Sequence, residues 1–204
     1  MILHEYPYID LSGRTGDLLT DVRSLLERNG KPQTFRHVRQ VAAVCAELAD
    51  RFGLERDHCM AAGLLHDISA VIKPVDMLTY AQKNGFVLCE AELRYPSLLH
   101  QRLSVLIAQE YFGITDARVL SAIECHTTLK ADPAREEEIL FLADKLAWDQ
   151  EGIPPFYDAV YAALEYSPEK ACHVYMRYMV DNGRLLCPHS NWIAALHWLE
   201  KTIG

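Results

Sequence analysis

Along most of its 204 residues the chain repeats apolar side chains at steps of three and four, and it almost nowhere alternates polar with apolar as a half-buried strand requires. A chain with that single period buries its hydrophobic surface by laying helix against helix. The clearest stretch is Gln33 to Phe52, where Phe35, Val38, Val41, Cys45, Leu48 and Phe52 share one stripe and Gly53 follows as a stop. The same reasoning predicts helices over 17–29 with Gly30 behind, over 56–70, from Pro74 towards Asn84-Gly85, and over 97–112 with Gly113 behind. Thr115 is the predicted N-cap of a helix reaching His126, and Asp132-Pro133 opens the next, which carries Leu140, Phe141, Leu142 and Ala143. Pro154-Pro155 is the clearest breaker of the second half. Ser167-Pro168-Glu169 then starts a helix ending at Asn182-Gly183, and Pro188 precedes a last one containing Trp192, Leu196 and Leu199. The expectation is all-α: one single-domain bundle of about ten helices with short loops, residues 17–204, preceded by an N-terminal extension, residues 1–16.

Composition narrows what such a bundle does. Half of the residues are apolar, enough for a core without covalent staples. Lys plus Arg number 20 against 28 Asp plus Glu, a formal charge of −8, so a general nucleic-acid binder is disfavoured and any anionic ligand needs local cations. The start, Met1 to Pro7, has no basic segment followed by an apolar one, and no apolar run reaches membrane-spanning length, so a cytoplasmic protein without membrane contact is expected. The six cysteines are scattered, with no Cys-x-x-Cys pair, which disfavours both a disulfide framework and a structural zinc site and leaves them as small buried hydrophobes.

The informative residues are ionisable ones on apolar faces, because burying a charge or an unsatisfied imidazole is costly. His37 shares its stripe with Val41, Val44 and Leu48. The His66-Asp67 doublet follows Ala61-Ala62-Gly63-Leu64-Leu65 and precedes Ile68. His100 faces inward with Leu103, Ser104 and Ile107; His126 with Val119, Ala122 and Ile123; and Asp144 follows Leu140 and Phe141 by one turn. A metal centre removes the penalty for all six together, since neutral imidazole nitrogens and carboxylate oxygens become ligands of a cation. His4, His58, His173, His189 and His197 lack such a context and read as surface or helix-end residues.

A histidine, a His-Asp doublet and a distant Asp in that order, here His37, His66-Asp67 and Asp144, resemble the HD superfamily of metal-dependent phosphohydrolases, with His100 and His126 similar to the extra ligands of its two-metal members. The nearest branch in appearance is the bacterial symmetrical bis(5'-nucleosyl)-tetraphosphatases, the YqeK-like proteins, through His126-Thr127-Thr128, Leu142-Ala143-Asp144 and the tail from Asn182 to Pro188. The resemblance runs from about residue 20 onward. It implies a first metal on His37, His66, Asp67 and Asp144, a second on Asp67, His100 and His126, and a bridging Asp67. It further makes His66 and Asp67 the catalytic pair, a metal-bound hydroxide the nucleophile, and diadenosine tetraphosphate, split into two ADP, the substrate. Of the two divalent ions' candidate identities it favours iron, while manganese, cobalt, nickel and zinc suit the same donors.

Two positions and one segment depart from that pattern: Ala70 where a lysine is common, Leu129 where a glycine is common, and Lys145-Leu146-Ala147-Trp148-Asp149-Gln150 in place of a segment containing Pro and Arg. Lys73, Arg102, Lys130 and Lys145 follow the motifs closely enough to meet a phosphate chain, and Thr127 offers a hydroxyl. Trp148 or Tyr157 is placed to stack on a base. Two readings compete with a nucleoside polyphosphate hydrolase: a phosphomonoesterase acting on a nucleotide or other small phosphate, and a non-catalytic nucleotide sensor. A Cys125-His126 hydrolase is disfavoured because helical neighbours point about 100° apart. The partner in each case is a small nucleotide or phosphate, and a homodimer is left open.

Overall fold

The computed structural model describes residues 1–148 and 151–203. Helix α1 (Leu18–Arg28) is capped by Asp17, whose carboxylate accepts the Thr20 amide at 2.8 Å. Helix α2 (Pro32–Phe52) has proline in its first turn and ends at Gly53, whose φ of 69° is left-handed. Helix α3 (Arg56–Leu65), a 3₁₀ turn (Ile68–Val71), α4 (Pro74–Lys83), α5 (Glu90–Arg94), a second such turn (Pro96–Leu99) and α6 (His100–Glu110) follow. The second half comprises α7 (Ala117–Cys125), α8 (Arg135–Leu146), α9 (Tyr157–Ala163), α10 (Pro168–Asp181) and α11 (Ser190–Ile203). The described residues contain no strand, and none of their helices is long and apolar enough to cross a membrane.

Helix α2 packs on α1, α3 and α8, while α7 fills the angle between α3, α6 and α8. Helix α8 continues the core to α10, which also holds α9 and α11. Its Leu140, Phe141, Leu142 and Ala143 are buried on successive faces, which is why their run of apolar residues shows no polar side. The Phe141 ring lies 5.5 Å from Tyr175 and 6.0 Å from Trp192, joining the last three long helices through one aromatic group.

Several boundaries differ from expectation for local reasons. The predicted helix over 56–70 stops at Leu65, and the chain turns at His66-Asp67 before the 3₁₀ segment; apolar residues on both sides of the break hide it from the periodicity. Asp116, not Thr115, caps α7, its carboxylate accepting the Arg118 amide at 2.8 Å. Helix α8 begins at Arg135, because Asp132 sits at a φ of 50° and the Glu137 carboxylate reaches back to the Ala134 amide at 2.8 Å. The stretch over 97–112 starts as the 3₁₀ turn and becomes α-helical only at His100. The short α5 and α9 are too brief to present a stripe.

Residues 1–16 lie against the bundle. Ile2, Leu3 and Ile9 are buried in the common core, and the Ile2 amide donates to Glu110 Oε2 at 2.6 Å. The Tyr8 hydroxyl donates to Asp76 Oδ2 at 2.6 Å.

Candidate metal centre

Six side chains from separate elements meet where α2, α3, α6, α7 and α8 converge. His37 comes from the first half of α2, His66 from the residue closing α3, Asp67 from the turn that follows, His100 from the first position of α6, His126 from the residue closing α7, and Asp144 from the last turn of α8. A buried serine pair fixes the turn carrying Asp67 to α6. Ser104 Oγ donates to Ser69 Oγ at 3.0 Å, and Ser69 Oγ donates to the His100 carbonyl at 2.9 Å.

Three of the four histidines are oriented the same way. The Nδ1–H groups of His66, His100 and His126 donate to the carbonyls of Gly63, Ser97 and Ile123 at 2.8, 2.6 and 2.8 Å, each three residues back. That anchor occupies Nδ1 and turns each Nε2 into the cluster. His66 Nε2 stands 3.6 Å from Asp67 Oδ2 and 3.5 Å from Asp144 Oδ1, while His37 Nε2 is 3.0 Å from the same Asp144 oxygen. On the other side, Asp67 Oδ1 lies 3.4 Å from His100 Nε2 and 3.6 Å from His126 Nε2. Asp67 thus presents one oxygen to each of two donor groups, His37–His66–Asp67 and Asp67–His100–His126, each compact enough to hold an ion.

The residues fit divalent cations on three further grounds. His66 Nε2 is buried without a hydrogen-bond partner. His100 Nε2 and His126 Nε2 face each other at 2.9 Å, two lone pairs that repel unless a positive charge lies beside them. The donor set, imidazole nitrogen with carboxylate oxygen, suits first-row transition metals. Electrostatics follow the same layout. Burial opposes charge on His66, yet Asp67 and Asp144 lift its pKa to about 9. Burial brings His126 down to about 4 against the pull of Asp67. Burial also opposes the Asp144 charge, but Lys145, His37 and His66 hold its carboxyl well below the usual carboxylate range.

Two clefts flank the cluster. One, of about 510 Å³, is lined by Asp67 and His100 and reaches Lys73, Tyr8, Lys31 and Ala70. The other, of about 300 Å³, is lined by Asp144 and Lys145 and by Trp148, Phe156, Tyr178 and Arg184. Lys73 is exposed in the first cleft, its ammonium 4.4 Å from the centre of the Tyr8 ring. Thr127 Oγ1 lies 3.1 Å from His100 Nε2, in direct contact with the cluster. The Lys145 ammonium donates to Asp144 Oδ2 at 2.5 Å and to the His126 carbonyl at 3.1 Å, so it neutralises a cluster carboxylate. Lys130 is engaged with Glu137 at 2.6 Å and Ser121 at 3.1 Å. Arg102 is held by Glu92 and the Val87 carbonyl, both at 3.1 Å. Tyr157 stacks on Tyr161, whereas Trp148 faces the second cleft. Cys125 donates its thiol to the Ser121 carbonyl, and burial pushes its pKa up, away from a nucleophile's range. Asp149 and Gln150, the end of the departing segment, lie outside the described residues.

Tyr8, Lys31 and Arg184 were not among the sequence candidates. Arg184 stands in the Asn182-to-Pro188 tail and so had a signal; Tyr8 and Lys31 had none, because polar residues outside apolar stripes need no explanation.

The HD domain family model matches residues 34–149. A Lactococcus lactis subsp. cremoris protein described as "Uncharacterized protein in pepC 5'region" is 37% identical over 130 residues, 64% of this chain and 67% of that one. A Staphylococcus aureus "Bis(5'-nucleosyl)-tetraphosphatase, symmetrical" is 30% identical over 111 residues, 54% of this chain and little more than half, 56%, of its own length. The crystal structure of a "predicted HD superfamily hydrolase involved in NAD metabolism" from Clostridium acetobutylicum superposes with a TM-score of 0.79 at 25% identity, covering 93% of this chain and 98% of that one.

Proposed function

This chain belongs to the HD domain family and is a phosphohydrolase of that superfamily, and on that premise we propose that it hydrolyses the phosphoanhydride chain of a nucleoside polyphosphate, splitting diadenosine tetraphosphate into two ADP. The observation that carries the reading is Asp67, whose two oxygens face two adjoining donor groups and which lines one of the two clefts that reach the cluster. We assign His37, His66, Asp67 and Asp144 to one divalent cation and Asp67, His100 and His126 to a second, with iron as the expected ion. When bound, such a pair supplies Lewis-acid polarisation of a phosphoryl oxygen and a water acidic enough to attack near neutral pH.

The chain's own groups then bind and orient the substrate. Lys73 and Lys31 in one cleft and Arg184 in the other supply the positive charge that a protein of net charge −8 otherwise lacks. Lys145, already on Asp144, keeps that carboxylate ionised, and the Thr127 hydroxyl faces the same reacting space. Trp148 and Tyr178 offer ring faces to a base in the second cleft, and Tyr8 does so in the first. Two clefts, one bounded by Asp67 and His100 and the other by Asp144 and Lys145, suit a substrate with a nucleoside at each end, cut at its central bridge. Water adds across that P–O–P bond; one ADP receives the hydroxyl and the other leaves with the bridging oxygen.

The test is product chromatography after metal reconstitution, using diadenosine tetraphosphate beside a panel of mononucleotides. ADP alone is the expected product. ATP plus AMP removes the symmetrical assignment, phosphate release from mononucleotides alone establishes the phosphomonoesterase instead, and tight nucleotide binding without turnover establishes the sensor. Asp67→Ala is expected to lower turnover by roughly 1,000-fold or more and to reduce bound metal; full activity in that variant refutes the bridging role.

A further inference from the structure

We infer that the cleft beside Asp67 and His100 receives a bare phosphate chain as readily as a nucleoside, so that the protein also hydrolyses mononucleoside polyphosphates of four or more phosphates. The inference rests on the hydrolase reading of the same cluster and adds a substrate class to it. It comes from the unlike linings of the two clefts, one rich in rings and the other in ammonium groups. A substrate with identical ends calls for two similar clefts, and these differ in kind.

The second cleft is built around rings. Phe156 lies 6.2 Å from Trp148 and 5.6 Å from Tyr178, edge-on to both, and Tyr175 packs against it at 4.9 Å. Phe156 and Tyr175 are buried, whereas Trp148 is 36% exposed and open to a base. Among the described lining residues, Arg184 is the one cation besides Lys145, and Lys145 is already held by Asp144. This cleft therefore selects the nucleoside end.

The first cleft is built around charge. Lys31 and Lys73 line it together with Asp67 and His100, and they are the N-cap residues of α2 and α4. Both helices open with proline and lack a side-chain cap, so two positive helix ends add to the two ammonium groups. Asp76, the acidic residue in the first turn of α4, is engaged by the Tyr8 hydroxyl at 2.6 Å. Apart from His100, Tyr8 is the only ring among the described lining residues, and the Lys73 ammonium already covers one face of it, 4.4 Å from the ring centre. Val71, Ile72 and Met77 in the same wall are core residues. Phosphate binding is thus the stronger attraction in this cleft and stacking the weaker. A nucleoside in the second cleft suffices to lay the β–γ bridge of adenosine tetraphosphate at the cluster, with the last two phosphates running towards Lys31 and Lys73. Water adds across that bridge, one P–O bond forming as another breaks, and the products are ADP and pyrophosphate with release of a proton.

The test gives the metal-loaded, full-length protein adenosine 5'-tetraphosphate beside diadenosine tetraphosphate and separates the products by anion exchange. ADP and pyrophosphate are expected from the mononucleotide, with kcat/KM within about thirtyfold of the dinucleotide value. Cleavage of diadenosine tetraphosphate with adenosine tetraphosphate left intact, or conversion of the latter to ATP and phosphate, overturns the inference and leaves the proposed function standing. Cleavage of adenosine tetraphosphate to ADP and pyrophosphate without cleavage of the dinucleotide does the reverse. A second readout needs no nucleotide turnover: calorimetric titration of the same protein with inorganic tripolyphosphate and, separately, with adenosine. Lys31→Met combined with Lys73→Met is expected to weaken tripolyphosphate binding about tenfold or more and adenosine binding less than about twofold. Trp148→Ala is expected to weaken adenosine binding roughly fivefold or more. Tripolyphosphate binding that is equal in the double lysine variant and the unmodified protein overturns the inference whatever the outcome of the hydrolysis assay.

Discussion

Leu129 holds a φ of 55° while being fully buried, so two demands on one residue oppose each other. A left-handed backbone costs a side chain about 1–2 kcal/mol, which explains why a glycine is common there in the family it resembles. Removing a buried leucine costs about 2–5 kcal/mol. The larger effect decides the sign: Leu129→Gly is expected to destabilise by about 1–3 kcal/mol in urea denaturation despite its relaxed backbone. Glu138 poses a different conflict. It is buried, its Oε1 has no hydrogen-bond partner, and burial, then the Glu169 charge, raises its pKa to about 8 against an ordinary 4.5. The folded chain therefore keeps a proton that the unfolded chain releases, and this contribution to stability, complete below pH 4.5, is lost as the pH rises to 8. Relative to wild type, Glu138→Gln is expected to gain on the order of 2 kcal/mol between pH 5 and pH 8, measured by denaturation at both values. Residues of this kind also mark what the sequence makes visible. His37, His66, Asp67, His100, His126 and Asp144 stood out because polar groups on apolar stripes need a cause. Lys130 and Arg102 looked equally available to a phosphate chain, and only the fold reveals Glu137 and Glu92 as their partners.

Among the elements, α2 and α3 approach so closely that Gly63 has no room for a side chain. A Cβ there would stand 2.7 Å from Ala42 Cα and 2.9 Å from its nitrogen, backbone atoms that cannot turn aside. The same residue's carbonyl holds His66 Nδ1, so the contact that sets the helix spacing also aims a cluster imidazole. Gly63→Ala is expected to cost about 1–3 kcal/mol by overpacking and to lower bound metal as His66 moves away from His37. Thermal denaturation and elemental analysis check the two effects; a variant of unchanged stability and metal content would mean that the helices slide apart freely. Long helices such as α2 and α10 were legible because stripe, proline and cap agree along their whole length. The break at His66-Asp67 was not, since Leu64-Leu65 and Ile68 are buried on either side and contain neither glycine nor proline. Local sequence records which residues are inside, and a turn with core residues on both sides leaves no mark on that record.

For the molecule as a whole, the sequence reading separated residues 1–16 from the bundle, because a short irregular segment shows no period to join it to the core. The packing joins them: Ile2, Leu3 and Ile9 are buried with the helices, and Tyr8 forms a wall of the cleft beside Asp67 and His100. The segment therefore has two separable roles. Deleting residues 1–9 strips three buried aliphatic side chains, worth about 1.5–3 kcal/mol each, a large part of the 5–15 kcal/mol that holds a domain of this size together. A fall in melting temperature of about 10 °C or more is expected for that deletion. Tyr8→Ala leaves the aliphatic anchors in place and removes a ring that is 44% exposed, so stability is expected to change by less than about 1 kcal/mol. If the ring receives one end of the substrate, KM for diadenosine tetraphosphate rises severalfold in Tyr8→Ala while kcat stays within about twofold. Steady-state kinetics on the folded variant decide it: an unchanged KM limits the N-terminal segment to structure, and a fall in kcat with KM constant moves Tyr8 from binding the ground state to acting in the chemical step.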